Sequence, residues 1–293
     1  MPEKIGVDSG YTAAMTRTKT CLFWLVIGLY ASCSRHEASQ LRPAQQLPTA
    51  PAPTAATAAI PARAQAAAAP TSDDTIATSK GPLVILPIRH ASVLFTLGQK
   101  HIYVDPAAEG KYEGLPKADF IFITHSHFDH FDKHRIESLR GASSVLVGPA
   151  DVIGQMGTGQ TLKNGEKLSF DNFEVEAVPS YNLLRGPKPG QLFHPKGQGN
   201  GYVFTFGDKR VYVSGDTECT PEVKELKNID VAFLCMRLPY TMPPKEAAEC
   251  IKTFKPLVIY PYHYETSILE ELTVALVNEK NIEVRLRDWY PSK

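Results

Sequence analysis

The feature that most constrains this chain is the run Thr124-His125-Ser126-His127-Phe128-Asp129-His130. Three imidazoles and a carboxylate crowd together directly after the apolar stretch Phe120-Ile-Phe-Ile-Thr124. So many polar groups beside a buried strand are costly unless each finds a partner. On extended backbone, residues two apart face the same way, so His125 and His127 can address one ion. Where the chain turns into the helix expected over 131–140, Asp129 and His130 can be brought round to a neighbouring ion. Imidazole and carboxylate suit Zn2+ and other divalent transition metals. The fold must therefore end a buried strand at a polar cleft.

Further ligands must come from distant sequence. Of nine histidines, His194 is the only one between His134 and His263, and it lies in the loop-like stretch Phe193-His-Pro-Lys-Gly197. Ser214-Gly-Asp216-Thr follows the apolar run Val211-Tyr-Val213, and Tyr262-His263-Tyr264 follows Leu257-Val-Ile-Tyr260. Apolar and alternating stretches predict strands over 83–88, 91–97, 101–104, 120–124, 144–147, 168–178, 202–206, 210–213, 231–236, 257–260 and 282–289. Helical spacing and end signals predict helices over 131–140, 221–227, 244–254 and 269–280. Strands come first, then strands mixed with helices, and the pattern occurs twice without a tandem sequence repeat. An α/β chain of this order suits two sheets packed face to face with helices outside.

His-x-His-x-Asp-His, then a later His, Gly-Asp-Thr and a last His, resembles the metallo-β-lactamase superfamily. The match runs over most of residues 81–293. Within that superfamily the chain resembles the branch of ascorbate-6-phosphate lactonase-like and N-acyl-phosphatidylethanolamine phospholipase D-like proteins. The supporting runs are His90-Ala-Ser-Val-Leu-Phe95, His101-Ile-Tyr-Val-Asp105-Pro106 and His194-Pro-Lys-Gly before Gly201-Tyr-Val. The resemblance implies a four-layer αββα sandwich and two divalent ions, Zn2+ or alternatively Mn2+. His125, His127 and His194 would hold the first ion, Asp129, His130 and His263 the second, and Asp216 would bridge them. It implies a hydrolase that uses a metal-bound hydroxide on an ester, lactone or phosphodiester, with Asp129 and Asp216 orienting the nucleophile and carrying its proton. Two other readings are a membrane-proximal phospholipid phosphodiesterase and a non-enzymatic metal-binding protein of the cell envelope. Asp105, at a strand end, is expected to accept a hydrogen bond from a ligand histidine, and His90 to line the pocket. Tyr181, Asn182, Tyr240, Tyr262 and Tyr264 are candidates for substrate contact, with packing as the alternative. Lys188 and Lys196 would favour an anionic substrate unless they are merely solvated.

The N-terminus reads differently. Arg17 and Lys19 precede the apolar run Cys21–Ala31, which is short of the roughly 20 apolar residues that span a bilayer. This describes a secretory signal over 1–33. Tyr30-Ala-Ser-Cys33 resembles a lipoprotein processing box, in which Cys33 would carry the lipid. Residues 34–80, rich in Ala, Pro and Thr, bury too little to offset chain entropy and read as a disordered tether. The expected domain is 81–293, located at a bacterial cell envelope by a lipid anchor in a membrane or by export to the periplasm. Lys plus Arg equals Asp plus Glu at 31 each, so no overall basic charge favours nucleic acid. The expected partner is a small-molecule or lipid substrate. Three cysteines fall in the domain, an odd number that implies no disulfide framework. Cys235 and Cys250 read as buried thiols and Cys219 as a loop cysteine.

Overall fold

The apolar runs between residues 83 and 260 become strands, and both sheets keep their strands in chain order. A computed structural model describes residues 74–290. Its first sheet runs β1 (Asp74–Thr78), β2 (Gly81–Arg89), β3 (Ser92–Leu97), β4 (Lys100–Val104), β5 (Ala118–Phe122), β6 (Arg140–Gly148) and β7 (Gln160–Thr161). The second runs β8 (Lys167–Ser169), β9 (Glu174–Ser180), β10 (Gly199–Phe206), β11 (Lys209–Val213), β12 (Val231–Cys235), β13 (Val258–Tyr262) and β14 (Glu283–Val284). In the first sheet β1 to β4 pair antiparallel and β4 to β7 parallel. The second repeats this plan, with β8 to β11 antiparallel and β11 to β14 parallel. The two halves thus share one design that the sequence does not display as a repeat.

Parallel neighbours need long return connections, usually helical. Here they contain α1 (Lys133–Leu139), α2 (Ala150–Met156), α3 (Pro221–Lys224), α4 (Pro244–Phe254) and α5 (Leu269–Ala275). As a consequence the parallel strands of each sheet all end at one edge, which is where open α/β sheets collect functional groups. Between the sheets, the Phe95 ring lies 5.8 Å from Phe204 and 5.6 Å from Phe233. A separate cluster covers the outer face of the first sheet, where Ile121 and Leu146 meet Ile136 and Leu139 of α1 and Val152 of α2. The result is the αββα sandwich.

Several expectations need correction. The tether read as 34–80 gives way to structure by Asp74, because Asp74–Thr78 pairs with β2. The rest of the tether and the 1–33 signal lie outside the described residues. Helix α2 was not expected; it is short, begins after Pro149 and ends at Gly157 in the left-handed region. Helix α5 stops at Ala275 rather than 280. The last strand shrinks from 282–289 to Glu283–Val284, paired with Val258 and Ile259 of β13. Cys219 and Cys250, read as a loop cysteine and a buried thiol, form a disulfide with Cα atoms 5.7 Å apart, and Cys235 is free and buried. Among the described residues no helix is long and apolar enough to cross a membrane.

Candidate metal centre

After β5 the backbone bends at Thr124, Ser126 and His127 and delivers His125 and His127 side by side, His125 Nε2 lying 3.2 Å from His127 Nδ1. His194, from the β9–β10 connection, brings its Nε2 to 3.2 Å from the same Nδ1. The far nitrogens are engaged elsewhere. His125 Nδ1 lies 3.0 Å from Thr124 Oγ1. Asn182 Oδ1 accepts from the His194 backbone N–H at 2.8 Å and lies 2.7 Å from its Nδ1. That contact fixes the His194 tautomer and turns Nε2 inward. Asn182 Nδ2 in turn donates to Glu218 Oε1 at 3.1 Å and to the Tyr240 carbonyl at 2.8 Å. Glu218 is buried and also accepts from the backbone N–H groups of Leu184 and Arg185.

A second group stands beside the first. His130 Nδ1 lies 2.8 Å from Asp105 Oδ2, and Asp105 also accepts from Thr124 N and Oγ1. This leaves His130 Nε2 facing the cleft, 3.3 Å from Asp216 Oδ1. His263, which follows β13, places Nε2 3.4 Å from Asp216 Oδ1 and 3.5 Å from Asp129 Oδ2. The other Asp216 oxygen, Oδ2, lies 3.4 Å from His194 Nε2. The two oxygens of Asp216 are thus divided between the groups. His90 joins the second group: its Nε2 lies 3.1 Å from Asp129 Oδ2, its Nδ1 2.7 Å from Tyr290 Oη, and its ring 3.9 Å from that of His263. All seven expected ligands therefore converge.

The donor set fits divalent cations. Ligands about 2.0–2.2 Å from a tetrahedral ion stand about 3.3 Å apart, and the spacings above cluster around that value. Buried His130 Nε2, His263 Nε2 and Asp216 Oδ1 have no hydrogen-bond partner, a deficit that a cation removes. Ligand atoms of His90, Asp129, His130 and His263, of His125, His127 and His194, and of His125, His130 and Asp216 each form a compact cluster. Burial, reinforced by His130, holds the His125 pKa well below its usual value, and burial pushes His194 down to about 4. For Asp216 burial works against the charge, but His263 and His130 outweigh it and keep the carboxyl well below the usual range. For His130 burial disfavours the proton, but Asp216 and Asp105 outweigh it and raise the pKa well above the usual imidazole value. Neutral imidazoles and ionised carboxylates are what a divalent cation requires, and one at His130 Nε2 would displace that proton.

Other candidates are placed differently. Asn182 supports His194 instead of facing a substrate. The Tyr181 hydroxyl donates to Glu222, and Lys196 pairs with the same carboxylate above the Tyr181 ring. Tyr262 is fully buried, the Tyr264 hydroxyl donates to the Arg287 carbonyl, and Tyr240 packs on Phe193. A small cavity of about 40 Å3 opens beside His127 and His194, walled by Phe193, Ser180, Gln198 and Asp151 with no lysine or arginine. The lysine expectation therefore finds no support there, and Lys188 is exposed. Sequence reasoning missed Thr124, Glu218 and Tyr290. Thr124 ends the strand ahead of the motif, a usable signal, whereas Glu218 and Tyr290 had none.

Paired cation cradles sharing a carboxylate at the edge of an αββα sandwich define a class, the metal-dependent hydrolases. Comparison with known proteins narrows this. The family described as a beta-lactamase superfamily domain matches residues 85–263. The chain is similar to the crystal structure of a candidate metal-dependent hydrolase from Parabacteroides distasonis, with 40% identity and a TM-score of 0.70, covering 74% of this chain and 98% of that one. It is 29% identical to a metal-dependent hydrolase of Listeria innocua over 59% of this chain and 82% of the relative. It shares its fold with Igni18, a metallo hydrolase of Ignicoccus hospitalis, at a TM-score of 0.58 and 21% identity, covering 70% of this chain and 94% of that one. The chain belongs to the beta-lactamase superfamily and is a metal-dependent hydrolase with the metallo-β-lactamase fold.

Proposed function

We propose that His125, His127 and His194 hold one divalent cation and Asp129, His130 and His263 a second, with Asp216 shared. We further propose that the enzyme cleaves an ester, lactone or phosphodiester bond of a small-molecule or lipid substrate. One observation carries this: the ligand atoms surround two centres, and the oxygens of Asp216 are divided between them. Zn2+ or Mn2+ bound there would make water reactive near neutral pH and polarise the substrate oxygen. The rest is supplied by the chain. Asp105 and Asn182 settle which nitrogen His130 and His194 present. Asp216 is buried and its two oxygens face different histidine groups, so its task is to hold geometry. The Asp129 side chain is 23% exposed, so its carboxylate is the one that can take the proton of the attacking water and return it to the leaving group. His90, braced by Tyr290, fixes the position of Asp129.

A phospholipid phosphodiesterase is the second reading. It is favoured by Phe128 and Leu184, which are 83% and 85% exposed on the loops that carry the ligands. The complete ligand set leaves little ground for a non-enzymatic role. We also propose a place at the bacterial cell envelope, through a lipid on Cys33 or by export; the Cys219–Cys250 disulfide supports this, because such bonds persist in oxidising compartments.

The test is metal analysis combined with turnover on a panel of esters, lactones, phosphodiesters and phospholipid vesicles. The His127→Ala variant is expected to lose metal and activity together while its circular dichroism stays native. Unchanged metal stoichiometry in that variant would overturn the assignment.

A further inference from the structure

The two edges of the sandwich differ in what they show to solvent. At the edge away from the metal centre the tight turns Ser79-Lys80, Gly98-Gln99 and Gly207-Asp208 are polar. Among the described residues the exposed large apolar side chains toward that edge are Leu257, before β13, and Val277, in the connection from α5 to β14. The metal-centre edge is the reverse. Phe128 follows β5, Leu183 and Leu184 lie on the β9–β10 connection, Leu238 and Tyr240 follow β12, and Ile268 follows β13. All six are exposed, Leu184 by 85% and Ile268 by 61%. Scattered exposed apolar residues are ordinary, but a group gathered on one rim marks a contact surface.

These side chains are held in one surface by their loops. The Asn182 amide donates to the Tyr240 carbonyl, Phe193 packs on Tyr240 with ring centres 4.9 Å apart, and the Ser267 hydroxyl donates to the Met236 carbonyl. Leu238 and Ile268 line the same surface cleft. Of the neighbouring cations, Arg185 pairs with Glu246 and Glu218 and Arg237 with Glu265, while the exposed Lys188 and Lys133 pair with no carboxylate among the described residues. A partner recognised by charge therefore has less to bind than a partner recognised by apolar contact.

The point where the chain enters the domain says what that partner is. Strand β1 begins at Asp74, opposite Ile85 of an antiparallel β2, and β2 ends at Arg89, next to His90 of the metal centre. Asp74 is therefore level with the middle of β2, and β1 runs from there away from the metal edge. Asp74 is fixed there by Arg287, two residues before Trp289, whose carbonyl accepts from the His90 N–H. The 73 residues before Asp74 include Cys33, the residue proposed above to carry a lipid. We propose that the rim of Phe128, Leu183, Leu184, Leu238, Tyr240 and Ile268 inserts into the surface of a phospholipid bilayer, so that the metal centre faces the membrane. The choice of a bilayer rests on the envelope location proposed above, and the rim itself does not depend on which bond the enzyme cleaves. Such docking buries apolar side chains at the headgroup boundary, and with Arg185 and Arg237 already paired it depends on salt far less than charge recognition does.

The test is hydrogen exchange of the full chain on phosphatidylethanolamine–phosphatidylglycerol vesicles, compared with the same chain free in buffer. Peptides covering 182–185, 237–241 and 266–268 are expected to exchange several-fold more slowly on vesicles, at low and high salt alike, while the far-edge turns stay unchanged. A Leu184→Ser, Ile268→Ser double variant is expected to remain vesicle-bound through its N-terminus, keep its metal and lose the rim protection. Protection confined to residues 1–73, protection abolished by salt, or protection surviving in the variant would each overturn the proposal. Metal content measured on the same samples keeps the hydrolase reading separate, since loss of metal would sink that reading without touching the vesicle result.

Discussion

The two cation cradles are made of the same kinds of side chain and are secured in different ways. In the second, His130 and His263 are completely buried, and Asp105 clamps His130 while taking two hydrogen bonds from Thr124. Asp105 and Thr124 leave the adjacent strands β4 and β5, and His263 leaves β13 of the other sheet, so strand ends set the position of His263 and of the clamp on His130. In the first, His127 is exposed and its ring meets only other ligands. His194 sits on the β9–β10 connection and depends on Asn182, which depends on Glu218. A ligand at a strand end inherits its rigidity, whereas a ligand on a loop needs a further layer of buried hydrogen bonds. The strand-end cradle should therefore keep its cation more tightly, and the loop-assisted cradle should be the one that exchanges.

The largest expected effect comes from the residue the cradles share. Asp216→Asn leaves one acceptor oxygen and turns an NH2 donor toward imidazole nitrogens or a cation. Both cations should be lost and turnover should fall to background, as metal analysis and the substrate panel would report. Retention of one cation would mean that the cradles are independent, and the identity of the retained site would then rank them directly.

Much of this was legible in the sequence, for physical reasons. Buried parallel strands are continuous apolar runs, so Phe120–Thr124, Val211–Val213 and Leu257–Tyr260 announced both strands and the ligand-bearing ends that follow them. His194 could be found because no other histidine lies in the middle of the chain. The internal supports were hidden. Asn182 meets His194 only through tertiary folding, and Glu218 looked like any other surface glutamate. The disulfide was masked by an odd cysteine count, and Cys219 and Cys250 stand 31 residues apart. Strand β1 was lost in the low-complexity stretch before it, although Asp74-Thr-Ile-Ala-Thr78 carries a faint alternation.

A smaller effect should separate the cradles cleanly. Glu218→Gln keeps the size of the side chain but sets an amide donor among the donors of Asn182, Leu184 and Arg185, so one of them loses its acceptor. Loss of such outer support costs roughly 10- to 100-fold in metal affinity. Chelator competition should therefore show one cation released more readily and the other unchanged. Equal weakening of both would contradict the account of His194 as the ligand that needs propping.

The smallest effect on metal should come from opening the disulfide. Cys219 adjoins Glu218 and ties the segment that follows Asp216 to α4. Closing a loop of 31 residues restricts mainly the unfolded chain, so Cys250→Ser should lower stability by about 2–4 kcal/mol. The direct partners of His194 survive, so the affinity of the three-histidine cradle should fall less than in Glu218→Gln, and the other cradle should not respond. Reductant offers the same test on the native chain without interference from Cys235, whose buried thiol is pushed up to about 12 by burial. Thermal melts and cation titrations, with and without reductant, give both quantities. If the strand-end cradle weakened as well, the disulfide would be supporting the whole metal edge, and rigidity could no longer be assigned cradle by cradle.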